Sequence, residues 1–283
     1  CDPHKETSMQ IGIFPTVFPR PTLEETLDAM VALDLYASQV DLSATGLPDL
    51  PEAIDPADVA RIRHAFDRCG ITMNAAAGHF NMAHPDPAVR QAGLQSLRAI
   101  AGACAGFGTS IITLCTGTRN LSSMWRPHAD NSTPEAWRDL VTSLETALAI
   151  ADDYDLTLAF EPEVNNVIDS PQRARRIIDE MGSPRLKVVI DGANIFHKGQ
   201  LPHMTRVLTE AIELVGKDIV LAHAKDLDRD GDAGHLAAGT GLLDFDLYLQ
   251  LLRESGYDGA IILHGLTEAQ APGCVAFLRE RLG

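Results

Sequence analysis

The chain lacks a Cys-x-x-Cys pair, a GxGxxG or GxxxxGK[ST] loop after its first apolar run, and any stretch near the roughly 20 apolar residues of a membrane span. It is also short of cations. Lys and Arg total 23 against 39 Asp and Glu, for a formal charge of -16, and the cations are scattered rather than clustered. A nucleic-acid partner is therefore not expected, because phosphate binding is driven by clustered Lys and Arg, and the missing glycine loops count against a nucleotide fold. The five cysteines, Cys1, Cys69, Cys104, Cys115 and Cys274, fall mostly in apolar segments and read as reduced, buried thiols of a cytoplasmic protein. Residues 1–8, CDPHKETS, carry no apolar run and read as a flexible tip or cloning remnant ahead of one domain over 9–283.

Four short apolar runs in the second half each stop at an acidic or imidazole side chain: LTLAFE at Glu161, LKVVID at Asp191, DIVLAH at His223 and GAIILH at His264. Runs of this length, rich in aliphatic residues, are the pattern of strands buried on both faces of a parallel sheet. Amphipathic stretches lie between them, as in Ser170 to Met181. The first half repeats the unit, with strands expected at Met9 to Pro15, Ala37 to Leu42, Ile71 to Ala77 and Ser110 to Cys115. Helices are expected at Leu23 to Leu33, Pro56 to Cys69, Pro87 to Gly106 and Pro134 to Tyr154, with Thr22 and Thr133 as N-caps. Eight strand–helix units in 283 residues, 45% of them hydrophobic, point to a single closed (β/α)8 TIM barrel rather than an open sheet.

Side chains alternate along a strand, so Glu161 pairs in direction with Glu163, His223 with Lys225, and Ile262 with His264. If that parity faces inward, Glu161, Asp191, His223 and His264 meet at the C-terminal mouth, where barrel active sites sit. Two carboxylates and two imidazoles in a concave pocket call for a cation. The mixed donors suit one divalent transition metal, Mn foremost, with Co, Zn, Fe or Ni as alternatives. Against this, a lone strand-end His is commonly structural and a lone Asp commonly caps a helix. Glu161, Glu163, Lys225 and His264 are the catalytic candidates, and Lys225 reads equally as a lysine paired with Asp226, Glu163 or another mouth carboxylate. Rim loops add His79 and Asn81 after the third strand, Arg119 and Trp125 after the fourth, and Asn194 and His197 after Asp191, as substrate contacts suited to hydroxyls and sugar faces. Trp125 reads equally as an anchor for its long loop. Gly239-Thr240-Gly241 is a weak phosphate-cradle match that also reads as a turn, so an unphosphorylated substrate is favoured.

The stretches Phe160 to Asn166, Val189 to Asn194, His223 to Asp226 and Gly239 to Gly241 leading to Asp244 give the chain, from Ile11 onward, a resemblance to the xylose isomerase-like sugar phosphate isomerase/epimerase barrels. That group includes inosose dehydratases and endonuclease IV-like proteins. The resemblance implies that Glu161, Asp191 and His223 are metal ligands and that His264 stands where the family has a glutamate. It implies a metal-dependent isomerase or epimerase of a keto-sugar or related polyhydroxy carbonyl compound, working through a metal-stabilised enediolate. Alternatives are a metal-dependent lyase, inosose dehydratase-like or keto-glycoside-cleaving, and a non-catalytic ligand-binding or partner subunit. A small carbohydrate or polyol is the expected partner, with neither nucleic acid nor membrane. A homo-oligomer is compatible with the sequence.

Overall fold

The computed structural model describes residues 9–283, so the expectation for residues 1–8 lies outside the described residues. Eight parallel strands close a ring: β1 (Gln10–Ile13), β2 (Ala37–Val40), β3 (Thr72–Ala77), β4 (Ile111–Cys115), β5 (Thr157–Glu161), β6 (Leu186–Asp191), β7 (Ile219–Asp226) and β9 (Ala260–Leu263), with β9 pairing both β7 and β1. A two-residue strand, β8 (Leu236–Ala237), turns back antiparallel on the end of β7, with Lys225 opposite Ala237. Helices α1 (Leu23–Val31), α2 (Pro56–Cys69), α3 (Pro87–Phe107), α4 (Pro134–Tyr154), α5 (Pro171–Met181), α6 (Met204–Val215), α7 (Phe245–Glu254) and α8 (Ala271–Leu282) alternate with the ring strands. The expected (β/α)8 barrel is therefore the observed one.

The helix starts are written in the sequence. Asp55-Pro56, Asp86-Pro87, Thr133-Pro134 and Ser170-Pro171 each place an oxygen-bearing N-cap before a proline, and in each the cap side chain accepts a backbone N–H of the first turn. Thr22 does the same for α1 without the proline. Cys104, Cys115 and Cys274 are buried free thiols, and Cys69 is half-buried. Among the described residues, no helix is long and apolar enough to cross a membrane.

Strand parity divides the core in two. The larger part lies between strands and helices, whereas Phe14, Ala37, Ala75, Ala159, Val189, Leu221, Ala260 and Ile262 form a separate cluster. Successive inward positions therefore run from small or aliphatic residues to polar ones: Ala37 to Gln39, Ala159 to Glu161, Val189 to Asp191, Leu221 to His223 and Ile262 to His264. Gly12 on β1 admits no side chain in this filled interior, since a Cβ there would lie 2.7 Å from the Ala37 carbonyl oxygen.

Below β7, Asp218 accepts from Lys187 Nζ at 2.7 Å and from Arg175 Nη1 at 2.8 Å, tying the turn before β7 to β6 and α5. Burial works against the Asp218 charge, but the hydrogen bonds from Lys187 and Arg175 outweigh it and hold the carboxyl below its ordinary range. A carboxyl whose pKa is depressed by folding contributes stability above its unfolded pKa and loses it as pH falls through the lower folded value. Asp218→Asn is thus expected to cost about 1.5–3 kcal/mol at pH 7. The gap from wild type should close below about pH 4, as parallel urea titrations would show.

Candidate metal centre at the barrel mouth

Inward residues Glu161 of β5, Asp191 of β6 and His223 of β7, with His264 just past β9, come together. One ligand atom from each of Asp191, His223 and His264 lies within 4.8 Å of the others. On these same residues, Asp191 Oδ2, His223 Nδ1 and His264 Nδ1 are buried with no hydrogen-bond partner. Glu161 Oε2 is 3.5 Å from His223 Nδ1, and Asp191 Oδ2 is 4.0 Å from the same nitrogen. Orphaned buried donors and acceptors are rare because each costs about 1–3 kcal/mol. A constellation of four, two oxygen-bearing and two imidazole, fits a borderline divalent cation.

The charges around it are unequal. Burial opposes ionisation of Glu161, but His223 and Lys225 outweigh it and hold this carboxyl well below its ordinary range. Asp191 is completely buried and is shifted upward by burial, against the pull of Lys225 Nζ at 3.4 Å. Lys225 is itself buried, yet Asp191, Glu161 and Glu163 keep its pKa above the usual lysine value, so it is an ammonium. His264 is pushed well below the ordinary histidine value by burial and by Lys225 and His223, which leaves a neutral ring 5.0 Å from Phe14 and 5.3 Å from His223. Glu163, next along the same face as Glu161, is raised to about 8 by burial and by Glu161.

The other expected site residues divide. Asn194 donates to Glu161 Oε1 at 2.5 Å and accepts from the Gly234 N–H, so it orients a carboxylate of the cluster. His79 is bonded to Thr113 Oγ1 at 2.9 Å, and Trp125, 45% exposed, meets its ring edge-on at 5.9 Å. Asn81 spends both ends of its carboxamide on the Thr118 backbone. Arg119 is locked to Asp139 at 2.6 Å and to the Ala83 carbonyl, with Arg90 on the other side of Asp139. His197 lines a groove between α5 and α6 and lies 3.9 Å from Asp169, outside the cluster. The geometry thus gives Asn81 and Arg119 to loop structure and does not bring His197 to the centre. Short polar loop side chains satisfy local backbone as readily as a ligand.

Asp226, beside the site lysine, is not that lysine's partner. Its two oxygens accept four backbone N–H groups, from Leu227, Gly239, Gly241 and Leu243, at 2.8–3.1 Å. The Gly239-Thr240-Gly241 turn is built for this: Gly239 has φ +81°, and a Cβ on Gly241 would lie 2.5 Å from Asp226 Oδ1.

Two residues absent from the sequence expectations complete the picture. Gln39 on β2 is fully buried, with His223 Nε2 2.7 Å from its Oε1. Asp41, two residues on, is raised to about 6 by burial and by Asp49 and shares a cavity of about 470 Å³ with Phe14, His235 and His264. For Asp41 a signal was present, since it lies in the expected strand Ala37 to Leu42 on the parity of Ala37 and Gln39 and is the one charge there.

A family model described as the xylose isomerase-like TIM barrel matches residues 31–280. An uncharacterized protein of Methanocaldococcus jannaschii is 23% identical over 280 residues, covering 97% of this chain and 89% of its own. Among solved structures, a D-tagatose 3-epimerase-like protein superposes with a TM-score of 0.76 at 18% identity, covering 97% of both chains. The IolI protein, solved with a zinc atom bound, gives a TM-score of 0.73 at 16% identity, covering 97% of this chain and 98% of its own. At these identities the two structures establish likeness of fold. With the family model spanning most of its length, this chain belongs to the xylose isomerase-like TIM barrels.

Proposed function

We propose that this protein is a divalent-metal-dependent isomerase or epimerase of a keto-sugar or related polyhydroxy carbonyl compound. The observation that carries this reading is the set of atoms without hydrogen-bond partners on Asp191, His223 and His264 beside Glu161, a mixed oxygen and imidazole donor set that fits a divalent ion. Those four residues would hold the ion, and when bound it supplies Lewis acidity to a carbonyl oxygen and its neighbouring hydroxyl. Lys225 holds an ammonium at the same mouth and can donate a hydrogen bond to a substrate oxygen. The Glu163 carboxyl makes no hydrogen bond among the described residues and is buried near Glu161, Lys225 and Asp191. It is therefore the group free to move a proton at the carbon beside the carbonyl. His79 and Trp125 give a polar edge and an apolar wall on the β3–β4 side, as sugar binding requires. The reading agrees with a fold shared with a D-tagatose 3-epimerase-like protein and with a zinc-binding neighbour.

The test is a panel of keto-sugars in D2O with Mn- or Zn-loaded enzyme. A product of unchanged composition with deuterium at the carbon next to the carbonyl is expected. Glu163→Gln should slow that exchange by roughly 10²–10⁴-fold while keeping its metal. His264, standing in place of the expected glutamate, favours one second reading, a lyase. In that case the product would be lighter by one water or would lack a departing substituent. A wild type that takes up no metal after reloading with Mn, Co or Zn would leave the binding-subunit reading instead.

A further inference from the structure

A chain of buried hydrogen bonds crosses the barrel interior from β7 to the rim loop after β3. His223 Nε2 is 2.7 Å from Gln39 Oε1, Gln39 Nε2 donates to Thr113 Oγ1 at 3.0 Å, and Thr113 Oγ1 is 2.9 Å from His79 Nε2. Three strands and one loop contribute one member each, and Gln39, Thr113 and His223 are almost completely inaccessible.

Such a chain has a direction. A carboxamide presents an acceptor on one side and a donor on the other, and a hydroxyl has one proton to give. The chain can run with Gln39 Oε1 toward His223, or with the amide turned over and every donor reversed. A histidine that ligates through Nδ1 must keep its proton on Nε2. The Nδ1 of His223 is the orphaned atom that faces Glu161 and Asp191, so only the first direction serves the centre. Thr113 Oγ1 accepts from Gln39, and since His79 Nε2 is the one acceptor within reach of its proton among the described residues, that proton goes to His79 Nε2. His79 then carries its proton on Nδ1.

We infer that Gln39 and Thr113 form a positioning relay that fixes the ring-proton positions of two histidines together. His223 is left with a bare Nδ1 for the metal, and His79 is left with an N–H to offer a substrate oxygen at the rim. The inference rests on the metal-dependent reading of this site for its direction and adds the residues that set it. Neither Gln39 nor Thr113 touches substrate. Burial, which lowers the His79 pKa to about 4, keeps that ring neutral and so dependent on its partner for a defined tautomer.

The experiment is long-range 15N–1H NMR on protein labelled with 15N-histidine, metal-free at pH 8 and assigned from single histidine-to-glutamine variants. It is paired with titration of Mn and Zn monitored by calorimetry. Wild type is expected to show the His223 proton on Nε2 and the His79 proton on Nδ1. Gln39→Leu should mix the tautomers of both rings and weaken metal binding about 10–100-fold. Gln39→Glu, which keeps an acceptor for His223 but loses the donor to Thr113, should hold the His223 proton on Nε2 and keep metal affinity at or above that of wild type while releasing His79. Thr113→Val should release His79 alone. Circular dichroism melts identify any variant that fails to fold, and the two partial variants then carry the test. A His223 proton on Nδ1 in wild type, or Gln39→Leu with unchanged proton positions and affinity, overturns the relay even where metal binds. If wild type binds neither ion yet shows both expected proton positions, the relay stands and the metal reading falls.

Discussion

Replacing Asp191 by alanine is expected to strip the metal and to destabilise the fold by about 3–5 kcal/mol, a combination that few active-site substitutions produce. Asp191 is completely buried, and its Oδ2 lies 3.4 Å from a lysine ammonium that is itself buried. Truncation leaves Lys225 in the interior with Glu161 and Glu163 as its remaining carboxylates, and it removes the acceptor for the Ala193 N–H at 2.9 Å. An uncompensated interior charge costs far more than the net worth of the pair it came from. The double variant Asp191→Ala/Lys225→Met should therefore recover much of the lost stability, though no activity. Urea titrations of wild type, both single variants and the double close the cycle. Elemental analysis of the undialysed proteins should find metal in wild type and only background where Asp191 is missing, with turnover lower by about 10³-fold or more, equivalent to several kcal/mol of lost transition-state stabilisation. An Asp191→Ala protein that melts with wild type would show that Lys225 does not depend on this partner, and the electrostatic account of the mouth would be wrong.

The second large effect is expected at His264. As a neutral ring with an unpartnered buried Nδ1, it is a ready ligand. His264→Ala should weaken Mn and Zn binding by more than the roughly 10–100-fold that loss of an outer partner costs. His264→Glu should restore binding and shift preference toward Mn, since it replaces a softer nitrogen with a hard oxygen. That carboxylate would also enter a region that already holds the Lys225 ammonium, so its charge is not stranded. Calorimetric titration of both metals into both variants decides the matter. Full metal retention in His264→Ala would instead assign His264 to proton transfer, as a neutral imidazole at the site's edge.

Much of this architecture was legible because it is dictated locally. A cap oxygen followed by proline favours a helix start, and α2 and α4 begin and end where the pattern placed them. Strand-end polarity was equally readable, since an apolar run closing on Glu161, Asp191 or His223 declares both a buried strand and an outlet. Gln39 was not readable from one strand, because it matters only through His223, 184 residues away, and Thr113, 74 residues away. Nothing in the ASQV of β2 names those partners until the ring closes. The partners of Asn81 and Arg119 were hidden for the opposite reason. Amides and guanidinium groups that suit sugar hydroxyls suit Thr118 backbone and Asp139 equally well, and residue type alone does not say which partner is nearer. The turn of β8 onto β7 escaped because two paired residues leave no periodicity to detect.

The four N–H groups gathered around Asp226 have a consequence for what the mouth can hold. Successive backbone donors in a glycine-bearing turn make a nest for an anion, and in many enzymes the anion is a substrate phosphate. In this protein the chain supplies the anion itself. The nest is filled by the carboxylate of the residue after Lys225, so a phosphoryl group arriving at this rim finds these donors already engaged. The loop after β7 is in this sense an anion nest closed from within, its donors held by the chain's own carboxylate.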